Sequence, residues 1–236
     1  MSKKELTPYT QRAPMQAQAQ HTLNVLIACE ESQAECEAFR SLGHNAYSCD
    51  LQPCRPSGHP EWHIHEDCMP YLYGKYHFIT QDGLPHSVPR WDLIICHPPC
   101  TYLCKMSSVQ MTRWIDGQSW VNEVRYQKML DAATFFRRCL DAKAPYLAVE
   151  NPLPMKRAKL PPPDFFICPS WYGVKYTKKT LYWVRNLPPL VADIDYPNPK
   201  EFVHSSRGKY RSRTFPEVAA AIARQWSHYI IEELKK

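Results

Sequence analysis

The chain contains 236 residues, 44% of them hydrophobic, which is enough for one domain that buries roughly 70% of the surface exposed by the unfolded chain. No apolar run reaches the roughly 18 residues of a membrane span and the N-terminal segment is polar, so we expect a cytoplasmic protein with reduced cysteines and no contact with a membrane. The net charge of +6 is compatible with a polyanionic partner but is too common to identify one.

The first elements in chain order predict a β–α–β unit that follows a flexible arm. Residues 1–21 have no hydrophobic period and predict that arm, so residues 22–236 form the single predicted domain. The apolar runs Leu23–Cys29 and Ala46–Cys49 predict strands, and the apolar spacing over Gln33–Leu42 predicts the helix between them.

The later segments continue this alternation of strands and helices. Trp91–Cys96 and Tyr146–Val149 have the apolar composition of buried strands, and Gln118–Ala142 has the period of a long helix with Val121 and Val124 on its inner side. A further strand and a closing helix are predicted at Thr180–Val184 and Pro216–Lys235. The alternation predicts an α/β fold with a mainly parallel sheet.

Polar side chains follow the predicted strands. Because ligands of an open parallel sheet bind at the carboxyl ends of its strands, these residues are the first candidates for a functional site. They are Glu30, Glu31, Asp50, Asp67, His97–Cys100, Glu150 and Asn151. An acid such as Asp50 at a strand end can accept hydrogen bonds from a ribose, although most acids in such positions are only solvated.

The tetrapeptide His97-Pro98-Pro99-Cys100 places a thiol on a stiff loop directly after a buried strand. Its two prolines fix the backbone, which suits a positioned nucleophile. Because a free thiol with a pKa of about 8.5 is mostly protonated at neutral pH, a nucleophilic Cys100 needs nearby positive charge, which His97 or a later basic residue could supply. The alternative is a buried, inert cysteine.

Glu150 and Asn151 end the next predicted strand. A carboxyl group in that position can hydrogen-bond the polar edge of a heterocycle. Because an ordinary glutamate is almost fully ionised at pH 7, proton donation by Glu150 needs a raised pKa, which a half-buried strand end favours.

A strand followed by Pro-Pro-Cys and a later strand followed by Glu-Asn resemble the cytosine-C5 DNA methyltransferases. The opening segment from Val25 to Gly43, the basic strand from Lys178 to Val184 and the final helix from Phe215 to Ala223 are also similar to parts of that family. The resemblance extends over residues 23–230 and is shared with short family members found in bacteriophages and prophages.

This resemblance implies a Rossmann-like class I methyltransferase fold, with helices on both faces of the sheet, and methyl transfer from S-adenosylmethionine to C5 of cytosine in DNA. It implies that Cys100 attacks C6, that Glu150 bonds N3, and that elimination across C5–C6 then releases the enzyme. A duplex substrate would have to flip its target base at a cost of a few kcal/mol.

The same resemblance implies two further sets of residues. The cofactor-binding set is Cys29, Glu30, Glu31, Asp50, Leu51, Asp67 and Pro98, with Asp50 at the ribose and Asp67 at the adenine. The substrate-binding set is Pro99, Thr101, Asn151, Lys178 and Lys179. No metal is implied.

The chain departs from the family pattern in two places. The glycine-rich cofactor loop of the family is represented by Glu31, Gln33 and Ala34, which carry Cβ atoms where glycine would permit close approach. Only residues 185–215 separate the basic strand from the final helix, where the family carries a target-recognition domain. Sequence specificity is therefore expected to be short, absent or supplied by an accessory protein.

Other functions remain open on the sequence alone. The chain could be an inactive nucleic-acid-binding or regulatory protein with the same fold, or it could modify C5 of a cytosine nucleotide or of RNA. Basic residues interleaved with aromatic ones in the C-terminal third, such as Lys156, Lys175, Arg207, Tyr210 and Arg213, favour a polymeric substrate and rank DNA first.

A structural zinc is a further alternative. Cysteines and histidines crowd residues 49–68, namely Cys49, Cys54, His59, His63, His65 and Cys68. Such pairs can bind zinc tetrahedrally, but their spacing matches no standard finger. The simpler interpretation is a loop of hydrogen-bonded histidines and reduced thiols.

Overall fold

A computed structural model describes residues 21–176, 179–194 and 213–236. The helices are α1 (Ala34–Ser41), α2 (Met69–Leu72), α3 (Glu123–Leu140) and α4 (Pro216–Leu234). The strands are β1 (Asn24–Ala28), β2 (Asn45–Cys49), β3 (His63–Ile64), β4 (His77–Ile79), β5 (Pro85–Ser87), β6 (Leu93–Cys96), β7 (Thr112–Ile115), β8 (Gln118–Val121), β9 (Tyr146–Asn151), β10 (Phe165–Ile167) and β11 (Thr180–Arg185).

A seven-stranded sheet organises these elements in the spatial order β10-β11-β9-β6-β1-β2-β3. The pairs β1–β2, β1–β6, β2–β3 and β6–β9 are parallel, whereas β11 is antiparallel to both β9 and β10. The central strands β1 and β6 are fully buried from Val25 to Ala28 and from Leu93 to Cys96, because side chains of both faces pack under helices.

Each face of the sheet has its own apolar core. On one face α1 and α4 pack together, and Phe39, Ile222 and Trp226 are buried among the side chains of β1 and β6. On the other face α3 contributes Met129 and Phe136, and the Phe136 ring meets that of Trp183 edge-on at 4.8 Å. The prediction of a Rossmann-like, mainly parallel sheet with helices on both faces is confirmed.

The long helix α3 begins later than the apolar period predicts. Residues 118–121 instead form strand β8, which pairs with β7 in an antiparallel hairpin. The side chain of Asn122 then caps α3 by accepting a hydrogen bond from the backbone N–H of Arg125 at 3.3 Å. The prediction that Val121 and Val124 face the core is wrong, because these side chains are 44% and 64% exposed.

Some sequence-based expectations fall outside the described residues. The predicted flexible arm does so apart from His21, and so do Lys178 and the basic and aromatic residues Arg207, Lys209, Tyr210 and Arg211. In the part of the chain that the structure covers, no helix is both long and apolar enough to cross a membrane.

Candidate active site

The order of the strands reverses between β1 and β6. From β1 the chain moves outward to β2 and β3, whereas β9 follows β6 on the opposite side. Such a switch point leaves a crevice at the carboxyl ends of the two strands, where open α/β sheets bind ligands. The loops that follow β1 and β6 lie together there, since the His97 N–H donates to the Ala28 carbonyl at 2.9 Å.

A cleft of about 440 Å³ occupies this crevice. Its walls come from the loops after β1 and β6, the ends of β2 and β9, and the start of α4. The cleft brings together most of the residues predicted from the sequence, namely Cys29, Glu30, Glu31, Asp50, Leu51, Pro98, Pro99, Cys100, Thr101 and Glu150. The candidate nucleophile and the candidate N3 partner therefore line one cavity.

A second pocket of about 530 Å³ adjoins the cleft and shares Cys29, Asp50, Leu51 and Pro99 with it. Asp67 lines its wall, and Tyr102 and Phe135 provide aromatic surface. Burial raises the pKa of Asp50, whose Oδ1 accepts the Gln52 N–H at 2.8 Å. Asp67 Oδ1 accepts the Met69 N–H at 3.0 Å. Both acids thus stand on ordered turns beside an apolar pocket.

The loop that carries Cys100 is held on both sides of the cysteine. Before it, the Asn151 side chain is buried and donates from Nδ2 to the Pro98 carbonyl at 2.8 Å. After it, the Cys100 carbonyl accepts hydrogen bonds from the backbone N–H groups of Leu103 and Cys104 at 3.0 and 2.9 Å. The half-buried Cys100 is therefore fixed between a strand end and a tight turn.

Glu150 is part of a cluster of ionisable groups below the cleft. His97 Nδ1 lies 3.2 Å from Glu150 Oε2, and His97 Nε2 lies 3.2 Å from Glu35 Oε2. Burial disfavours the charged imidazole, but the neighbouring carboxylates outweigh that effect, so the pKa of His97 lies well above its usual range. Positive charge is thus available within the Pro-Pro-Cys loop itself.

The two glutamates after β1 are engaged by the protein. The Glu30 side chain is buried and its two carboxyl oxygens accept the N–H groups of Glu35 and Cys36 at 2.7 and 3.3 Å, so it caps the N-terminus of α1. Glu31 pairs with Arg213 at 3.1 Å and thereby joins the first loop to the segment before α4. Both remain predicted cofactor residues, but their carboxylates already have protein partners.

The loop that replaces the family's glycine-rich segment adopts glycine-like backbone angles without glycine. Cys29 and Gln33 have φ values of 62° and 59°, in the left-handed region that costs a side-chain-bearing residue roughly 1–2 kcal/mol. The buried Gln33 side chain offsets this cost, because Nε2 donates to the His59 carbonyl and Oε1 accepts the His59 N–H at 2.7 Å. Gln33 thus ties the first loop to the segment before β3.

The remaining predicted substrate residues lie in different surroundings. The Thr101 carbonyl accepts a hydrogen bond from the Arg125 guanidinium at 3.2 Å. Lys179 Nζ lies 4.3 Å from the centre of the Phe166 ring, on the antiparallel side of the sheet. Lys178 is outside the described residues. The substrate roles of Thr101 and Lys179 stay predictions.

Sequence reasoning missed several residues of the site. Glu35 is fully buried in the first turn of α1, where an acid is usually interpreted as a solvated helix-dipole partner. Tyr182 and Thr214 also line the cleft, and the Thr214 hydroxyl donates to Glu35 at 3.2 Å. Tyr182 lies opposite Glu150 in the pairing of β9 with β11, so a prediction of that pairing would have been needed to identify Tyr182 from the sequence.

The cysteines and histidines of residues 49–68 do not gather around one point. His63 bonds Ser48 and the Gln52 carbonyl, His65 bonds the Leu51 carbonyl, and Cys68 lies 3.8 Å from Cys29. Within residues 21–176, 179–194 and 213–236, no group of three or more His, Cys, Asp or Glu residues could bind a metal ion. The zinc alternative therefore gains no support.

Comparisons with known proteins give little beyond this geometry. No family model matches the chain, and neither does any curated protein. Among solved structures, the chain is similar to a candidate DNA modification methyltransferase encoded within an E. coli prophage, at 16% identity and a TM-score of 0.39. That similarity covers 69% of this chain but only 46% of the other, so any function must be argued from the cleft itself.

Proposed function

We propose that the cleft transfers a methyl group from S-adenosylmethionine to C5 of cytosine in DNA. The observation that carries this proposal is the position of Cys100 and Glu150, which line one cavity at the switch point of the sheet. A nucleophilic thiol and a carboxyl group that line the same cavity are what addition to an activated pyrimidine requires. The adjoining pocket leaves room for a second reactant beside them.

The second pocket has the size and chemistry expected for the nucleoside part of S-adenosylmethionine. Its volume of about 530 Å³ lies in the range of small-molecule sites. Asp50 would accept ribose hydroxyls and Asp67 would bond the adenine, while Phe135 and Ala132 would cover the faces of the base. When bound, S-adenosylmethionine would supply an electrophilic methyl group.

The protein's own residues then activate the cytosine ring. The Cys100 thiolate adds to C6, and Glu150 bonds N3 so that the ring can accept the electron pair. The Asn151 hydrogen bond to the Pro98 carbonyl holds the loop that carries the thiol, so that the thiol can face the base. After methylation at C5, loss of the C5 proton and departure of the Cys100 thiolate restore the aromatic ring.

Basic groups near the Pro-Pro-Cys loop support a polyanionic substrate. Arg125 and Lys128 of α3 stand over the ring of Tyr102, which follows that loop, at 5.0 and 5.4 Å. They can neutralise phosphates on either side of a base in the cleft. Because only residues 186–215 separate β11 from α4, recognition of a sequence would be short or would need an accessory protein.

A second candidate is a nucleic-acid-binding or regulatory protein without activity. The engagement of Glu30 and Glu31 by protein groups favours it, because these carboxylates are less available to a cofactor. The strained, side-chain-bearing loop at Gln33 points the same way. Cofactor affinity separates the two candidates.

The test is calorimetric titration with S-adenosylmethionine and S-adenosylhomocysteine, followed by labelled methyl transfer to duplex DNA, single-stranded DNA, RNA and a cytosine nucleotide. We expect micromolar binding and transfer to DNA. The variant Cys100→Ala should bind the cofactor normally but lose activity by more than about 1,000-fold, since addition to C6 requires the thiolate.

Cys104→Ala is the matched control for that experiment. Cys104 lies on the same loop but is engaged with Ser107, so its removal should leave transfer within about twofold of the wild type. A Cys100→Ala protein that still transfers methyl groups would contradict the mechanism. A folded wild-type protein that binds neither compound would favour the inactive binder.

A further inference from the structure

Three carboxylates and one imidazole converge under the proposed target site. Glu35 comes from α1, His97 from the loop after β6, Glu150 from β9 and Glu30 from the loop after β1. The side chains of Glu35, His97 and Glu150 are 0%, 13% and 19% exposed, so this group is largely shielded from water. Such a concentration of acids is costly unless protons or positive charge balance it.

His97 contacts a carboxylate through each of its ring nitrogens. Nδ1 lies 3.2 Å from Glu150 Oε2, and Nε2 lies 3.2 Å from Glu35 Oε2. The Nδ1 contact is a hydrogen bond, whereas Nε2 and Glu35 Oε2 lie at ion-pair distance without hydrogen-bond geometry. A neutral imidazole would set a lone pair toward one of the two carboxylates, whereas the doubly protonated ring carries a positive charge that attracts both. His97 therefore holds a proton between two acids.

The other groups around His97 keep that proton in place. Burial, aided by the charge of Glu35, raises the pKa of Glu30 to about 8, so Glu30 is mostly neutral at pH 7. Burial and the two nearby glutamates also raise the pKa of Tyr182 well above its usual value, so the phenol stays neutral. The Thr214 hydroxyl donates to Glu35 Oε1. The balance is therefore set by Glu35, Glu150 and His97.

We propose that His97 is a positioning residue that holds the proton delivered through Glu150 to cytosine N3, and that Glu35 keeps His97 charged for this purpose. The proposal rests on the cytosine chemistry proposed above and adds to it the source of the proton. An ionised Glu150 cannot protonate N3 by itself, whereas the Nδ1–H of His97 points at its carboxylate.

The proton that reaches N3 is conserved over one turnover, and the proton released from C5 passes to solvent water. His97 starts as the imidazolium, passes one proton to the Glu150 carboxylate, and becomes neutral. Glu150 gives a proton to N3 as Cys100 adds to C6, and is again a carboxylate. When the thiolate leaves, N3 returns the proton along the same path, so His97 is recharged for the next turnover.

The first experiment measures the protonation of His97 in the full-length protein without any activity assay. With ¹⁵N-labelled histidine, we expect NMR shifts of a doubly protonated His97 ring at pH 7. In Glu35→Gln the His97 pKa should fall by at least about one unit, because one of its two carboxylates is gone. A wild-type His97 that is neutral at pH 7 would overturn the proposal.

The second experiment follows kcat against pH in wild type, Glu35→Gln and His97→Gln. In the wild type kcat should fall at high pH, where His97 loses its proton. Glu35→Gln should move this limb to lower pH. His97→Gln should remove the limb and lower kcat about 10- to 100-fold at pH 7, within the usual effect of proton-transfer groups, with little change in KM.

The control is His44→Gln, which removes a buried histidine whose Nδ1 accepts a hydrogen bond from the Leu23 N–H. Burial lowers the pKa of His44, so its loss should not alter the high-pH limb. If His97→Gln keeps wild-type activity and an unchanged dependence of kcat on pH, the proposal that His97 holds the proton for N3 would be overturned. The proposed methyl transfer would not be affected. A wild-type protein that transfers no methyl group would remove the reaction and this proposal together.

Discussion

Asn151 is buried beneath the loop that carries Cys100, and the hydrogen bond from its side chain to the Pro98 carbonyl links β9 to that loop. Asn151→Ala should lower the free energy of unfolding by about 1–3 kcal/mol, because the buried carbonyl loses its partner. Urea unfolding measures this change. Asn45→Ala, which breaks an exposed amide–amide contact of 3.2 Å, is the control and should cost less than about 0.5 kcal/mol. Equal costs in both variants would contradict the role of Asn151.

Glu30 makes the stability of the protein depend on pH in an unusual direction. Its pKa is raised from 4.5 to about 8, so between these values the folded state holds a proton that the unfolded chain releases. The free energy of unfolding must therefore fall as pH rises through this window, by at most about 1.4 kcal/mol per pH unit for one proton. His97, whose pKa is raised above 6.5, contributes in the same direction at higher pH.

Glu30→Gln should flatten this dependence. Urea unfolding near pH 5.5 and pH 7.5 should show a smaller loss of stability in the variant than in the wild type, because glutamine does not titrate. Glu217→Gln, an exposed position in the first turn of α4, should retain the wild-type slope. Identical slopes in Glu30→Gln and wild type would show that Glu30 does not hold the proton.

The residues of the site were predictable only where they end a strand. Asp50, Asp67, Cys100 and Glu150 follow or end apolar runs, and the cleft and its neighbouring pocket gather them. Glu35 gave no such signal, because its burial depends on how α1 packs against the loop that carries His97. The carboxylates of Glu30 and Glu31 were assigned by position, and only the three-dimensional structure reveals that α1 and Arg213 already engage them.

At the scale of elements, strand β8 lay inside the helix predicted from Gln118 onward. Val121 and Val124 fall on helical positions, yet Asp116 and Gly117 have φ values of 51° and 77° and form a two-residue hairpin turn. The Asn122 cap then starts α3. The hairpin turn and the Asn122 cap therefore outweighed the apolar helical period, whose first valines do not pack against the core.

This hairpin presents two tryptophans to solvent immediately after the nucleophile loop. Trp114 and Trp120 are 75% and 55% exposed, and a two-stranded hairpin has little stability of its own to gain from them. The register Arg113–Trp120 and Trp114–Ser119 sets the two rings on opposite faces of the hairpin. If the substrate is DNA, a ring on the face that meets it can stack on a base, an interaction of about 1–3 kcal/mol.

The double variant Trp114→Ser/Trp120→Ser should therefore weaken DNA binding at least about 10-fold, measured by fluorescence anisotropy at fixed salt. Its free energy of unfolding should change by less than about 0.5 kcal/mol, because the rings are exposed. Val191→Ser, at a similarly exposed position next to α4, is the control. Unchanged DNA affinity in the double variant would exclude the hairpin from the substrate surface.

At the scale of the whole molecule, the alternation of strands and helices was sufficient to predict the parallel sheet. The order in which the strands lie was not predictable, because it depends on which crossovers bury which faces. That order sets the switch point between β1 and β6, and the switch point brings Cys100, Glu150 and the acids at the strand ends to one edge. The edge strands β3 and β10 were missed because segments of two or three residues are too short to show the alternation of apolar and polar residues that predicts a strand.

The central claim is that Cys100 adds to cytosine while a methyl group enters at C5. It is tested most directly with an oligonucleotide containing 5-fluorocytosine, because fluorine at C5 cannot leave as a proton does and the adduct persists. We predict a covalent protein–DNA complex that carries one added methyl group, forms only with S-adenosylmethionine present, maps to Cys100 by mass spectrometry, and is absent in Cys100→Ala but present in Cys104→Ala. A folded protein that binds S-adenosylmethionine and this DNA but forms no such adduct would contradict the account.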